Sequence, residues 1–211
     1  HSLDRRQRQM CIRDRPLATY PKRFVDTWVF LRKSMAEFLV EVIQGDITKI
    51  SAEAIVNAAN ERMLGGGGVD GAIHRAAGPL LVDACRMIQE TSPGVRCPTG
   101  EARITPAFDL PAIHVIHTVG PIWQGGTQGE DELLASAYRS SMELAHKNQC
   151  VSISFPSIST GVYNFPFERA CKIALEVIYE FENRGGIESV KLVCFSSHDY
   201  EKYSETLRTF R

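Results

Sequence analysis

The sequence predicts an α/β fold: a three-layer α/β/α sandwich around a mixed, largely parallel sheet. Three observations carry this. Short apolar segments of strand length alternate with amphipathic helical segments from residue 38 to the end, the pattern of βαβ units. Two loops, "MLGGGGVDG" and "SISTGVYNFP", each follow a strand segment and open a helix. With 44% hydrophobic residues in 211, the chain can bury a sizeable core. None of its apolar runs reaches the ~20 residues that a membrane span needs.

In chain order, "FLVEVIQGD" (38–46) reads as a strand ending at a Gly-Asp turn, and "AIVNAAN" (54–60) as a short buried strand. "VDGAIHRAAG" (69–78) is helical and stops at Gly78-Pro79, and "LLVDACRMIQE" (80–90) is a second helix. Strands follow at 101–107 and 112–120, the second apolar throughout as a doubly covered strand should be. "DELLASAYRSSMELAHKN" (131–148) places its apolar residues at a period of 3.6. Next come a strand running into a loop (151–160) and a helix (166–183) with Pro166 in its first turn. A last strand (189–197) and a closing helix (199–210) complete the pattern. Neither an internal repeat nor an interdomain linker is present. The predicted organisation is a leader at 1–35 and one domain at 36–211.

The leader shows no strand or helix periodicity, begins with His1 and lacks the apolar core of a secretory signal. Its piece "RQRQMCIRDR" resembles translated sequencing-adaptor sequence, and Met35 is the expected natural start. We expect residues 1–35 to be disordered or non-native. Residues 1–36 hold nine Lys/Arg and three acidic residues, which leaves fifteen basic against twenty-two acidic in the remainder. So acidic a domain is not expected to bind nucleic acid, and it must hold phosphates through backbone N–H groups and helix N-termini. The six cysteines never approach a C-x-x-C spacing. They read as reduced, mostly buried thiols of a cytoplasmic protein, with no metal site.

The glycine run fits two motifs it does not belong to. Gly66, Gly68 and Gly71 satisfy G-x-G-x-x-G, and Glu90 lies about twenty residues on, as a dinucleotide site requires. However, "ERML" separates the strand from the glycines, and Glu90 lies in a helical stretch rather than at a strand end. A Walker A loop fails because Ala72-Ile73 follows Gly71, where Lys-Ser/Thr belongs. A plain surface loop would carry the entropic cost of four consecutive glycines to no purpose. The second loop offers donors from Ser159, Thr160 and Gly161. Two such loops at strand C-termini of one open sheet flank a single crevice, which suits a diphosphate.

"GDITKISAEAIVNAANERMLGGGGVDGAIHRAAG", "CPTGEARIT", "VIHTVGPIW" and "ISTGVY" resemble the macrodomain family. Within it, the likeness is to the MacroD-type branch of O-acetyl-ADP-ribose deacetylases and ADP-ribosyl hydrolases, in one colinear run over about 37–211. The resemblance implies roles for individual residues. Asp46 would accept a hydrogen bond from the adenine amino group beside the Ile47 backbone, and Phe195 would stack on adenine. Taken alone, Asp46 reads as a turn cap and Phe195 as core. Gly67, Gly68 and Val69 would wrap the diphosphate and distal ribose together with Ser159, Thr160, Gly161 and Val162, with Tyr163 against that ribose. Asn60 and Asp70 match the pair needed for hydrolysis, and Asn57 reads as structural. An amide at Asn60 can hold a ribose hydroxyl, and Asp70 can act as general base toward a water. Either Asp70 or the substrate diphosphate would activate that water. His74, four residues after Asp70 on one helix face, is a substrate-site candidate that would steady that carboxylate, or a buried structural histidine. His117 reads as core.

Ser-His-Asp chemistry is disfavoured, since no G-x-S-x-G is present. Two function classes follow. One is a hydrolase that releases acetate from O-acetyl-ADP-ribose and extends to mono-ADP-ribose on acidic side chains of proteins. The other is a non-catalytic ADP-ribose reader. The intact Asn60–Asp70 pair favours the hydrolase. No cofactor is implied, and the expected partners are ADP-ribose-containing small molecules and mono-ADP-ribosylated proteins.

Overall fold

Every predicted strand holds Val or Ile, and the strands pair into one sheet. The computed structural model describes residues 38–182 and 186–210; the predicted leader lies outside them. The strands are β1 (Leu39–Gln44), β2 (Ala54–Ala58), β3 (Ala102–Pro106), β4 (His114–Thr118), β5 (Ser152–Pro156) and β6 (Ser189–Cys194), in the order β1-β6-β5-β2-β4-β3. Every pairing is parallel except β3 against β4. The helices are α1 (Gly68–Ala77), α2 (Pro79–Arg86), α3 (Glu130–Lys147), α4 (Phe167–Glu180) and α5 (Ser197–Phe210). None is long and apolar enough to cross a membrane.

Two cores sit on opposite faces of the sheet. Val56, Ile116, Ile153 and Phe155 pack with Leu134, Tyr138 and Met142 of α3 and Leu175 and Ile178 of α4. Ile55 and Val115 pack with Ile73 of α1 and Leu81 of α2. Alternation along each strand then fixes what else points toward α1 and α2. Asn57 follows Ile55 by two residues and His117 follows Val115 by two, while Thr105 is opposite in sense to Ile104. All three are buried polar groups, and Asn57 and His117 are partners in the β2–β4 register.

The element order matches the periodicity, with two departures. α2 stops at Arg86 rather than 90: the Met87 and Ile88 N–H groups tighten onto the Ala84 and Cys85 carbonyls, the i→i−3 pattern of a helix end, and the Met87 side chain, 85% exposed, has no core to join. A 3₁₀ turn at Ile47–Lys49, capped by Asp46, follows β1. β2 and β5 are neighbours whose outgoing connections diverge, one toward β4 and β3 and the other toward β6. Such a switch point opens a crevice beyond the strand C-termini.

Candidate active site

A cavity of about 810 Å³ fills that crevice. Of the predicted residues, Asp46, Ile47, Asn60, Gly67, Gly68, Val69, Asp70, Ser159, Thr160, Gly161, Val162, Tyr163 and Phe195 line it. His74 does not. It stands behind Asp70, with Nε2 3.4 Å from Asp70 Oδ1, so its contact is with the carboxylate rather than with the cavity.

Asp46 and Phe195 come together because β1 and β6 pair up to Gln44 and Cys194; each lies just beyond a paired strand end. Asp46 Oδ1 accepts from Thr48 N (3.0 Å) and Thr48 Oγ1 (2.8 Å), and these two bonds hold its carboxyl below the usual range. One oxygen thus caps the turn, and the second remains available to a ligand donor. Phe195 is 85% exposed, so it is not core; its ring borders the cavity at the same end.

The glycine loop turns sharply, with Gly65 at φ +87° and Gly68 at φ +58°, angles that side chains rarely tolerate. This places Asp70 in the first turn of α1, where the helix N-terminus favours negative charge. Asp70 is buried. Its Oδ1 accepts from Asn57 Nδ2 at 2.7 Å, and its Oδ2 has no partner among the described residues. A Cβ on Gly66 would lie 2.9 Å from that Oδ2 and 3.1 Å from Asn60 Nδ2, so the bare glycine lets the carboxylate and the amide share one corner. Burial pushes the Asp70 carboxyl above its usual range, against the opposing pull of the Asn57 hydrogen bond and of His74. Asn60 Oδ1 accepts from Arg62 N and Met63 N, and its Nδ2 donates to Gly65 O. One amide hydrogen is left for a ligand.

The loop after β5 forms the facing wall. Ser159 adopts φ +64° and is buried, its Oγ unpartnered among the described residues. It can take that place because Gly120, at the end of β4, has no side chain; a Cβ there would overlap Ser159 Oγ and Ile158 Cγ2. The loop is also braced from behind. Trp123 N donates to Tyr163 O (2.9 Å), and the Trp123 ring packs edge-on against Phe165.

Three features were not read from the sequence. Asn57 grips Asp70 across thirteen positions of chain; strand alternation puts it on the face of Ile55 but does not say that α1 covers that face. Arg75 lines the cavity, and its spacing of five from Asp70 carried no signal. Gly120 matters only through its contact with a loop far along the chain.

The fold and site define an open-sheet α/β domain with a ligand crevice between two loops at parallel strand ends. The Macro domain model matches residues 56–174, and the chain belongs to the macrodomain family. It is 53% identical over 170 residues to a macro domain-containing protein of Chlorobaculum tepidum, covering 80% of this chain and 95% of that protein. Against O-acetyl-ADP-ribose deacetylase 1 of Pantoea vagans the identity is 54% over 170 residues, covering 80% and 98%. Among solved structures, the Oceanobacillus iheyensis macrodomain with ADP superposes with a TM-score of 0.77 at 49% identity, covering 81% of this chain and 90% of that one.

Proposed function

We propose that this chain hydrolyses the acetyl ester at the distal ribose of O-acetyl-ADP-ribose, giving ADP-ribose and acetate. The observation that carries the reading is the buried Asp70 carboxylate at the cavity wall, held through one oxygen by Asn57 and with the other unpartnered among the described residues. The deacetylase name of a relative 54% identical supports it, as does the ADP held by the Oceanobacillus macrodomain.

Adenine would lie between Phe195 and Asp46, and the diphosphate between the Gly66–Val69 and Ser159–Val162 backbones. The distal ribose would then lie against Tyr163, Asn60 and Asp70. Asp70 Oδ2 takes a proton from a water whose oxygen attacks the ester carbonyl carbon. Backbone N–H groups at the start of α1 stabilise the oxyanion. Collapse breaks the acyl–oxygen bond, and the proton passes to the departing ribose oxygen. A carboxyl raised by burial is a better base for this step than an ordinary aspartate. The same attack serves an ADP-ribosyl ester on a protein carboxylate, since both substrates carry an ester at that ribose.

Acetate release by the wild-type chain is the test, with Asp70→Ala beside it. The variant should lose activity by about a thousandfold or more while keeping ADP-ribose affinity within severalfold. Undiminished turnover in Asp70→Ala would remove Asp70 from the mechanism. Tight binding without turnover in wild type would make the chain a reader.

A further inference from the structure

We propose that His117, in its Nε2–H tautomer and hydrogen-bonded through that proton to Thr105 Oγ1, is a positioning residue that locks the Asn57 amide and thereby holds Asp70 ionised beside the cavity. The inference rests on the role of Asp70 given above.

Each link forces the next. An ionised carboxylate only accepts hydrogen bonds, so the group that Asn57 places 2.7 Å from Asp70 Oδ1 is its NH₂. The second hydrogen of that NH₂ meets His117 Nδ1 at 3.2 Å, and this nitrogen must present a lone pair. The imidazole proton therefore sits on Nε2, 3.0 Å from Thr105 Oγ1, which accepts it. The opposite tautomer would set N–H against N–H and turn the amide over. Its carbonyl would then face Asp70 Oδ1, a contact that only a protonated carboxyl tolerates. Imidazole tautomer and Asp70 charge are one coupled choice.

The sheet builds this relay directly. Asn57 and His117 are register partners on β2 and β4, and Thr105 stands on β3 beside them on the face covered by α1 and α2. Both Asn57 and His117 are fully buried, and none of the three relay residues lines the cavity. Burial, with some help from His74, holds the His117 imidazole at about 3, so it is neutral and its tautomer is the variable. The titratable groups around Asp70 and His117 are His74 and Arg75 on α1, Cys85 on α2 with Sγ 3.7 Å from His117 Nε2, Cys97 with Sγ 3.8 Å from His117 O, and Tyr163 across the cavity. The donor atoms of His74, Cys85 and His117 lie within 4.8 Å of one another. A protonated Nε2 offers no lone pair to a metal there.

The experiment combines ¹⁵N imidazole NMR of the ligand-free wild-type protein with Thr105→Val and Thr105→Ser, which differ in the hydroxyl. His117 should be protonated on Nε2. Thr105→Val should lower kcat about tenfold and move the acidic limb of the pH–rate profile upward, with the ADP-ribose Kd unchanged within about threefold. Thr105→Ser should restore both. A wild-type His117 protonated on Nδ1, or Thr105→Val with wild-type kcat and pH profile, overturns the proposal. If the wild-type chain releases no acetate, the hydrolase reading fails separately. The ¹³C titration of the Asp70 carboxyl in wild type and Thr105→Val then decides the relay, and an unmoved titration overturns it.

Discussion

Asp70 is pulled two ways by its surroundings, and the balance has consequences at two readouts. Burial raises its carboxyl, while the Asn57 hydrogen bond and His74 lower it. A base is active when ionised, so kcat should fall as pH drops through the raised value, at a higher pH than an exposed aspartate would give. A folded-state pKa above the unfolded one means that stability is fullest at low pH and is lost as pH rises through the folded value. Asp70→Asn should therefore melt above wild type at neutral pH, and the two melting curves should converge toward pH 3. Equal melting temperatures at both pH values would mean that the carboxylate carries no burial penalty. Asp70 and Asn60 were legible because each sits in a distinctive motif. The grip of Asn57 on Asp70 was not, because it depends on which face of β2 lies under α1, a fact set by packing.

Loops and strand ends account for the shape of the crevice. Every strand and helix segment that periodicity marked is present among the described residues, because buried parallel strands and amphipathic helices leave strong local patterns. The 3₁₀ turn after β1 left only its aspartate as a sign, and the antiparallel sense of β3 left none, since an edge strand pairs the same way on paper in either direction. Contacts between loops were equally silent. Gly120 lies between "VIHTV" and "PIW" as an ordinary turn glycine, yet its missing Cβ is what admits Ser159 and Ile158. Gly120→Ala should push the loop after β5 outward and weaken ADP-ribose binding about tenfold or more, in line with the usual 1–3 kcal/mol of overpacking. Calorimetric titration would read this directly; an unchanged Kd would mean that the loop yields without affecting its ligand contacts.

Across the whole molecule, the site spans the sheet from the paired ends of β1 and β6 to those of β2 and β4, so the proposed function separates recognition and chemistry in space. The domain is acidic, and among the described residues Arg75 is the one Lys or Arg that lines the cavity. Under the proposed function a diphosphate would be held by backbone dipoles, and these are far less sensitive to screening than exposed cations. Raising salt from about 50 to about 500 mM should change the ADP-ribose Kd by less than about threefold, whereas a site built on lysines would weaken steeply. Phe195 tests the separation from the other end. Its exposed ring packs against no core, so removing it should leave the fold intact, and stacking on a base contributes about 1–3 kcal/mol. Phe195→Ala should raise KM and the ADP-ribose Kd about tenfold while kcat stays within about twofold, because the ester lies at the far end of the ligand. Asp70→Ala should do the reverse. A Phe195→Ala enzyme that lost kcat as well would mean that adenine binding is coupled to closure of the catalytic loop, and the two ends would then have to be treated as one site.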